Sequence, residues 1–316
     1  MKFSFGTDPE FMLMKDRKYI SAIGVVPKRA EDKNGKPLPQ ELYYDNVLAE
    51  CSIEPGESKE EVIKNIGHTI RRYAKAVYPH ILVPQAAQEY PKKQLRHKEA
   101  LRVSCRPEAC CYLMKDMPIP EQEFIEGQLR TAGGHVHLGT TIIRNDFEVL
   151  AAIRLMDLFV GIPSVFIDHD PTSPTRKNLY GKAGRFRQTS YGCEYRSIGN
   201  FWLSSPKLVS LIYDLSAFVV QFLADDRYKE LWDIDVKSIL DPEIQKIKGL
   251  DKTQFHKCIG YNLTLMREAI DNMDKDKGKE LLKCIEQYLP RALMTAIEEA
   301  SVPNQYDMYK EWNIKI

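Results

Sequence analysis

The chain has 316 residues, 43% of them apolar and 28% charged, with a formal net charge of +1 at pH 7. That length supports a large core in one or two domains, and the balanced charge excludes a global field favouring nucleic acid or a membrane surface. Apolar stretches broken by charges predict no membrane span, the opening MKFSFGTDPE lacks the apolar run of a signal peptide, and seven cysteines, an odd number, predict reduced thiols in a cytoplasmic protein.

Residues 3–13 and 43–53 predict strands. Between them KRAEDKNGKPLPQ (28–40), with Asn-Gly and two prolines, predicts a loop or hairpin connection. Ser58 and Glu61 form an S-x-x-E capping box. Val62, Ile66, Ile70, Tyr73 and Val77 then recur at helical spacing, predicting an amphipathic helix over 59–78. Residues 80–115 read as short strands and loops, and 131–143 as a strand. Asn145 and Glu148 open a second helix to about 160, which Pro163 is expected to end. HDPTSPTRKNLYGKAGRFRQTSYG (169–192) reads as a long loop rich in glycine, proline and base. Ser205 and Pro206 start a helix to about 224, and 237–300 is mainly helical. Mixed strands and helices followed by helices make an α+β layout.

Four segments place acids and histidines at strand spacing: GTDPEF (6–11), DNVLAECSIEP (45–55), GGHVHLG (133–139) and YGCEYRS (191–197). In a strand, residues i and i+2 share a face. Asp8 with Glu10, Glu50 with Glu54, His135 with His137, and Glu194 with Arg196 are therefore expected to pair on common faces. Acids on partly buried strands need partners. Oxygen ligands converging from several segments suit a hard divalent cation on one concave sheet face. H-x-H between Gly133, Gly134 and Gly139 is a metal-ligand pattern in many folds, and the glycines would let a ligand approach the backbone. Arg176, Lys177, Lys182, Arg185, Arg187, Arg196 and Lys207 read either as a solvated basic run or as a polyphosphate clamp. No GxxxxGK[ST] loop is present. Cys105, Cys110 and Cys111 with His97 fit no usual pair of zinc knuckles.

Together these segments resemble the carboxylate–amine ligase superfamily of glutamine synthetase and glutamate–cysteine ligase. The closer resemblance, over roughly residues 1–225, is to the phage-associated COOH.NH2 ligase type 2 (amidoligase) family. It implies a glutamine-synthetase-like antiparallel half-barrel sheet with flanking helices in a catalytic core, 1–225, and a helical C-terminal extension, 226–316, packed on it. It also implies an ATP-dependent ligase that joins a carboxylate to an amine through an acyl phosphate, with Mg²⁺ or Mn²⁺. The metal ligands it implies are Glu10, Glu50 (with Asn46 near it), His135 or in its place His137, and Glu194, with Asp8 as a further ligand or the base. His135, His137, Lys182, Arg185, Arg187 and Arg196 would bind ATP, and Arg187 and Arg196 would stabilise the transferring phosphoryl group. Glu54 has no family counterpart. The substrates implied are a small-molecule, peptide or modified-nucleotide carboxylate and amine, in a host cytoplasm if the chain is phage-encoded, with no membrane partner. The rival readings are a metal-dependent hydrolase using His135 and His137, a phosphotransferase on the same fold, and a non-catalytic binding protein.

Overall fold

Proline has no N–H to give to a sheet ladder, and Asp8–Pro9 divides what the sequence reads as one strand over 3–13. In the computed structural model, which describes residues 3–34, 38, 40–101, 108–118, 127–231, 257–258, 261–304 and 307–315, β1 (Phe3–Thr7) and β2 (Glu10–Lys15) lie in different sheets. The second acidic segment divides in the same way, after β4 (Leu42–Asp45), into β5 (Leu48–Cys51) and β6 (Ile53–Gly56). β2 pairs with β5 and β1 with β6, so the same two stretches run side by side around one bend, tied by Cys51 N–H to Pro9 O at 3.2 Å. Residues 131–143 divide there too, into β11 (Leu129–Thr131) and β12 (Val136–Thr140), with Glu10 N–H donating to Gly133 O at 3.1 Å. Three stretches bending together make a curved, half-barrel surface of antiparallel strands.

The larger sheet has seven strands, in the order β10 (Lys115–Met117), β9 (Glu108–Cys110), β13 (Arg185–Thr189), β14 (Gly192–Tyr195), β12, β1, β6. The smaller one runs β3 (Lys18–Ile20), β2, β5, β4, with β7 (Ile81–Val83) also pairing β2. Strand alternation decides which face is covered. Phe3 and Phe5 point into the core, where Phe5 meets the rings of Trp202 and Tyr213 at 5.9 and 5.7 Å. Ser4 and Gly6 therefore face the other way.

Helices cover the core face. α1 (Lys59–Val77) starts as predicted, with Ser58 Oγ accepting from Glu61 N–H at 3.2 Å. α2 (Asp146–Met156) begins at the Asn145 cap but does not end at Pro163. A π-helical turn, Asp157–Gly161, leads into α3 (Ile162–Ile167), and Pro163 sits in the first turn of α3, where a missing N–H costs little. Part of the predicted loop 169–192 is helical, α4 (Ser173–Leu179), and α5 (Pro206–Ala224) is capped by Ser205 as expected. Two helical runs, Asp146–Ile167 and Pro206–Ala224, are long and apolar enough to cross a membrane, contrary to the sequence expectation. Their windows are 94% and 56% buried inside the protein, so both serve as core helices.

The C-terminal helices are α6 (Leu263–Asn272), α7 (Lys275–Ile285), α8 (Arg291–Glu298) and α9 (Met308–Glu311). They share the hydrophobic core of the strands, and Trp312 Nε1 donates to Leu203 O at 2.8 Å. The start of the predicted helical stretch, 237–256, and Cys105 lie outside the described residues. Cys51, Cys110, Cys111 and Cys193 are buried free thiols.

Candidate active site on the curved sheet

Register aligns one row of side chains across four strands of the larger sheet. Gly6 faces His137, His137 faces Glu194, and Glu194 faces Arg187. Asp8, just beyond β1 at the bend, completes the row. Its Oδ1 lies 3.1 Å from His135 Nδ1 and 3.0 Å from His137 Nε2, and His135 Nδ1 lies 3.4 Å from Glu194 Oε1. Asp8, His135 and Glu194 each present a ligand atom within 4.8 Å of the others. Glu194 also accepts from Arg196 Nη1 and, at 3.0 Å, from Arg187 Nη1. Tyr191 Oη lies 3.0 Å from His137 Nδ1, and the two rings stack at 6.1 Å.

A second acidic cluster sits on the smaller sheet. Glu10 and Glu50 are directly opposed on β2 and β5, a placement that like charges make unfavourable. Tyr43, opposite Glu50 on its other side, donates to Glu50 Oε1 at 2.8 Å. Asp45 lies two residues from Tyr43 on the same face, and Glu10, Asp45 and Glu50 form a second group of three converging ligand atoms. Glu10 also accepts from Gly133 N–H at 2.6 Å.

Electrostatics join the clusters. Burial, then the Asp45 charge, lifts Glu10 to about 8, and Asp8 adds to that rise. Burial, then Asp45, Glu10 and Asp8, lifts Glu50 well above the carboxylate range. Glu194 rises to about 7 through burial and then Asp8, against the pull of His137 and Arg187. Burial works against ionisation of Asp8 too, but His137 and His135 outweigh it and hold Asp8 well below its ordinary value. His135, buried and beside Arg196, falls to about 3 and is a neutral imidazole. Burial pulls His137 down, but Asp8 outweighs it and the ring ends above its ordinary value. Carboxylates driven towards protonation by one another, next to a neutral imidazole, form a cation-seeking donor set.

The basic residues separate by role. Arg185, Arg187 and Arg196 border the first cluster, and buried N–H donors on each have no hydrogen-bond partner among the described residues: Arg185 Nε and Nη1, Arg187 Nε, Arg196 Nε. Glu108 lies 3.5 Å from Arg185 Nε and 3.6 Å from Arg196 Nε. Arg176 and Lys177 are buried clips instead. Arg176 donates to Ser197 O at 3.1 Å and to Arg196 O at 3.2 Å, and Lys177 Nζ to Gly181 O at 2.6 Å and Ser197 O at 2.7 Å. Both are spent on backbone carbonyls. The Lys182 and Lys207 side chains are exposed.

Residues 127–314, more than half of the chain, match the family model described as Phage phiEco32-like COOH.NH2 ligase-type 2. The chain belongs to this family. The match takes in the GGHVHLG and YGCEYRS strands together with the C-terminal helices. No curated protein matches the chain. Among solved structures it is similar to a bifunctional glutathione synthetase from Pasteurella multocida, at 10% identity and a TM-score of 0.42, over 98% of this chain and 52% of that one. The chain thus spans about half the length of that structure.

Several sequence-level placements in this ligase-family chain change. Glu54 is exposed on β6, in the other sheet from Glu50, so the two share no face. Asp8 and Glu10 flank the bend and serve different clusters. Asn46 turns the β4–β5 hairpin at φ 54°, and its side chain donates to Ala100 O and accepts from Arg130 Nε. Gly133 and Gly134 leave no room for a ligand: a Cβ on Gly133 would lie 2.5 Å from His135 Nε2, and one on Gly134 2.7 Å from Gly199 O. Asp45, Tyr191 and Glu108 were not singled out from sequence. A two-residue turn at Asn46–Val47 would have revealed Asp45, since it sets Tyr43 opposite Glu50 and Asp45 on the same face.

Proposed function

We propose that the protein is an ATP- and divalent-metal-dependent ligase that joins a carboxylate to an amine. The observation that carries this reading is the pair of three-ligand clusters, Asp8/His135/Glu194 and Glu10/Asp45/Glu50, on one curved surface bordered by arginines with unmet donors. The donor set, five carboxylates and one neutral imidazole, suits Mg²⁺ or Mn²⁺. When bound, such ions supply positive charge to phosphoryl oxygens. The arrangement is in keeping with the glutamine-synthetase-like half-barrel, with residues 1–225 as catalytic core and 226–316 as its helical extension.

The substrate carboxylate attacks the γ-phosphorus of ATP, breaking its bond to the bridging oxygen and releasing ADP. The amine then attacks the acyl carbon, loses a proton, and phosphate departs with the C–O electron pair. The unmet donors Arg185 Nη1 and Arg187 Nε would meet phosphate oxygens, and buried Arg196, held by Glu194 and Glu108, would add positive charge that offsets what accumulates during transfer. Tyr180 keeps Arg196 in place, with the guanidinium 5.2 Å from its ring centroid. Of the nucleotide-binding residues expected from sequence, His137 contacts Asp8 and Tyr191, and Lys182 is exposed. The substrates are a small-molecule, peptide or modified-nucleotide carboxylate and amine.

Thermal shift with ATP and Mn²⁺, each alone and together, tests the proposal. Stabilisation that needs both components supports it. Equal stabilisation by ATP in excess EDTA would contradict a metal-bridged site.

A further inference from the structure

Beside the row Gly6–His137–Glu194–Arg187, one step along the same four strands and on the same face, register sets Ser4 opposite Gly139, Gly139 opposite Gly192, and Gly192 opposite Thr189. No side chain in this second row is larger than threonine. Gly192 is required, since a Cβ there would lie 2.1 Å from Leu138 O at φ +149°, and over Gly139 the Ser4 hydroxyl sits 2.2 Å from where a Cβ would be. This row lies at the strand ends beside an open cleft of about 700 Å³, which Phe3, Ile143 and Val149 line from the core side. Its wall next to the first row is Tyr191, 47% exposed, whose hydroxyl reaches His137 Nδ1 at 3.0 Å. Arg144 and Glu57, both exposed, also line it.

We infer that this glycine-lined trough holds the amine substrate of the proposed ligase, and that the substrate is an α-amino acid or the end of a short peptide carrying one free carboxylate. The volume suits such a molecule. A glycine lining admits an extended backbone, and Ser4 and Thr189 offer hydroxyls beside it. Arg144 supplies the guanidinium that pairs with a carboxylate in two parallel hydrogen bonds. Glu57 in the same trough repels a polyanion, which separates this subsite from the arginine-lined nucleotide site. Tyr191, which lines the trough and reaches His137 Nδ1, joins it to the acidic row.

This inference rests on the ligase reading, and the test separates the two. Saturation-transfer NMR on the full chain would screen the standard amino acids, simple dipeptides and their C-terminal amides, in the presence of Mn²⁺ and a non-hydrolysable ATP analogue. Wild type, Arg144→Ala and Thr189→Phe would be compared, the last filling the trough. The expected result is binding of at least one free acid, weakened at least tenfold by amidation and by each substitution, with the thermal shift from Mn²⁺ and nucleotide retained in both variants. Binding that survives both substitutions, amides that bind as well as acids, or no amino acid or dipeptide bound while nucleotide still stabilises the protein would each overturn the subsite. Loss of the nucleotide shift in wild type would instead overturn the ligase reading itself.

Discussion

Glu10→Gln isolates the charge at the centre of the second cluster. The amide keeps an oxygen to accept from Gly133 N–H, now at 2.6 Å, and its new N–H₂ can donate to the facing acids. Glu10 rises from 4.5 to about 8 through burial and then Asp45. Between those values the native protein holds a proton that the unfolded chain has released, so this group's contribution to stability falls as pH rises from 4.5 to about 8. At about 1.4 kcal/mol per unit the full cost at pH 8 is on the order of 4 kcal/mol. Glu10 retains some solvent contact, which reduces the realised gain on substitution to about 1–3 kcal/mol. That corresponds to a melting temperature higher by about 2–6 °C for Glu10→Gln than for wild type at pH 8 without metal. At pH 5 the difference shrinks towards zero, since both side chains are then neutral in the fold. Mn²⁺ should stabilise wild type at pH 8 and Glu10→Gln much less. Differential scanning calorimetry at both pH values, with and without Mn²⁺, reads all four quantities. A variant no more stable than wild type at pH 8, with an undiminished Mn²⁺ shift, would refute the acidic cluster as a cation site.

Arg187→Ala should cost about 2–4 kcal/mol of transition-state stabilisation in ATP turnover, while Mn²⁺ binding without nucleotide persists; steady-state kinetics at saturating metal checks this, and unchanged KM and kcat for ATP would reduce Arg187 to a surface cation. Asp157 accepts from Tyr112 and Tyr195 hydroxyls, each at 2.7 Å, so Asp157→Asn leaves one of them facing an N–H₂ group and should cost about 1–3 kcal/mol in urea titrations. Lys177 falls to about 7 through burial and then the Arg176 charge. Its native form therefore binds fewer protons than the unfolded chain between pH 7 and 10.5, and wild type gains stability from this group as pH rises through that window. Lys177→Met should lose that gain and also strand two carbonyls, which parallel melting curves from pH 7 to 10 would reveal.

Local chemistry wrote much of this protein into its sequence. Ser58, Asn145 and Ser205 each cap the helix predicted to follow them, because a side-chain acceptor and the first free N–H lie within a few residues. The residue types of the site were legible as well, since acids and histidines on otherwise apolar strands are costly to bury unless they meet a ligand or one another. Tertiary structure decided their grouping. The Asp8–Pro9 bend sends Asp8 to His135 and Glu10 to Glu50, although two-residue spacing suggested a shared face. Register alone carries Glu194 to His137 across 57 residues of sequence, and the Asn46 turn recruits Asp45. The basic run shows the same division: its charge was evident, but Arg176 and Lys177 bind backbone carbonyls while Arg185, Arg187 and Arg196 pair with Glu108 and Glu194. Spacing along a chain determines which neighbours share a face only while the strand runs straight. Where three strands bend together, pairing across the sheet determines which charges meet.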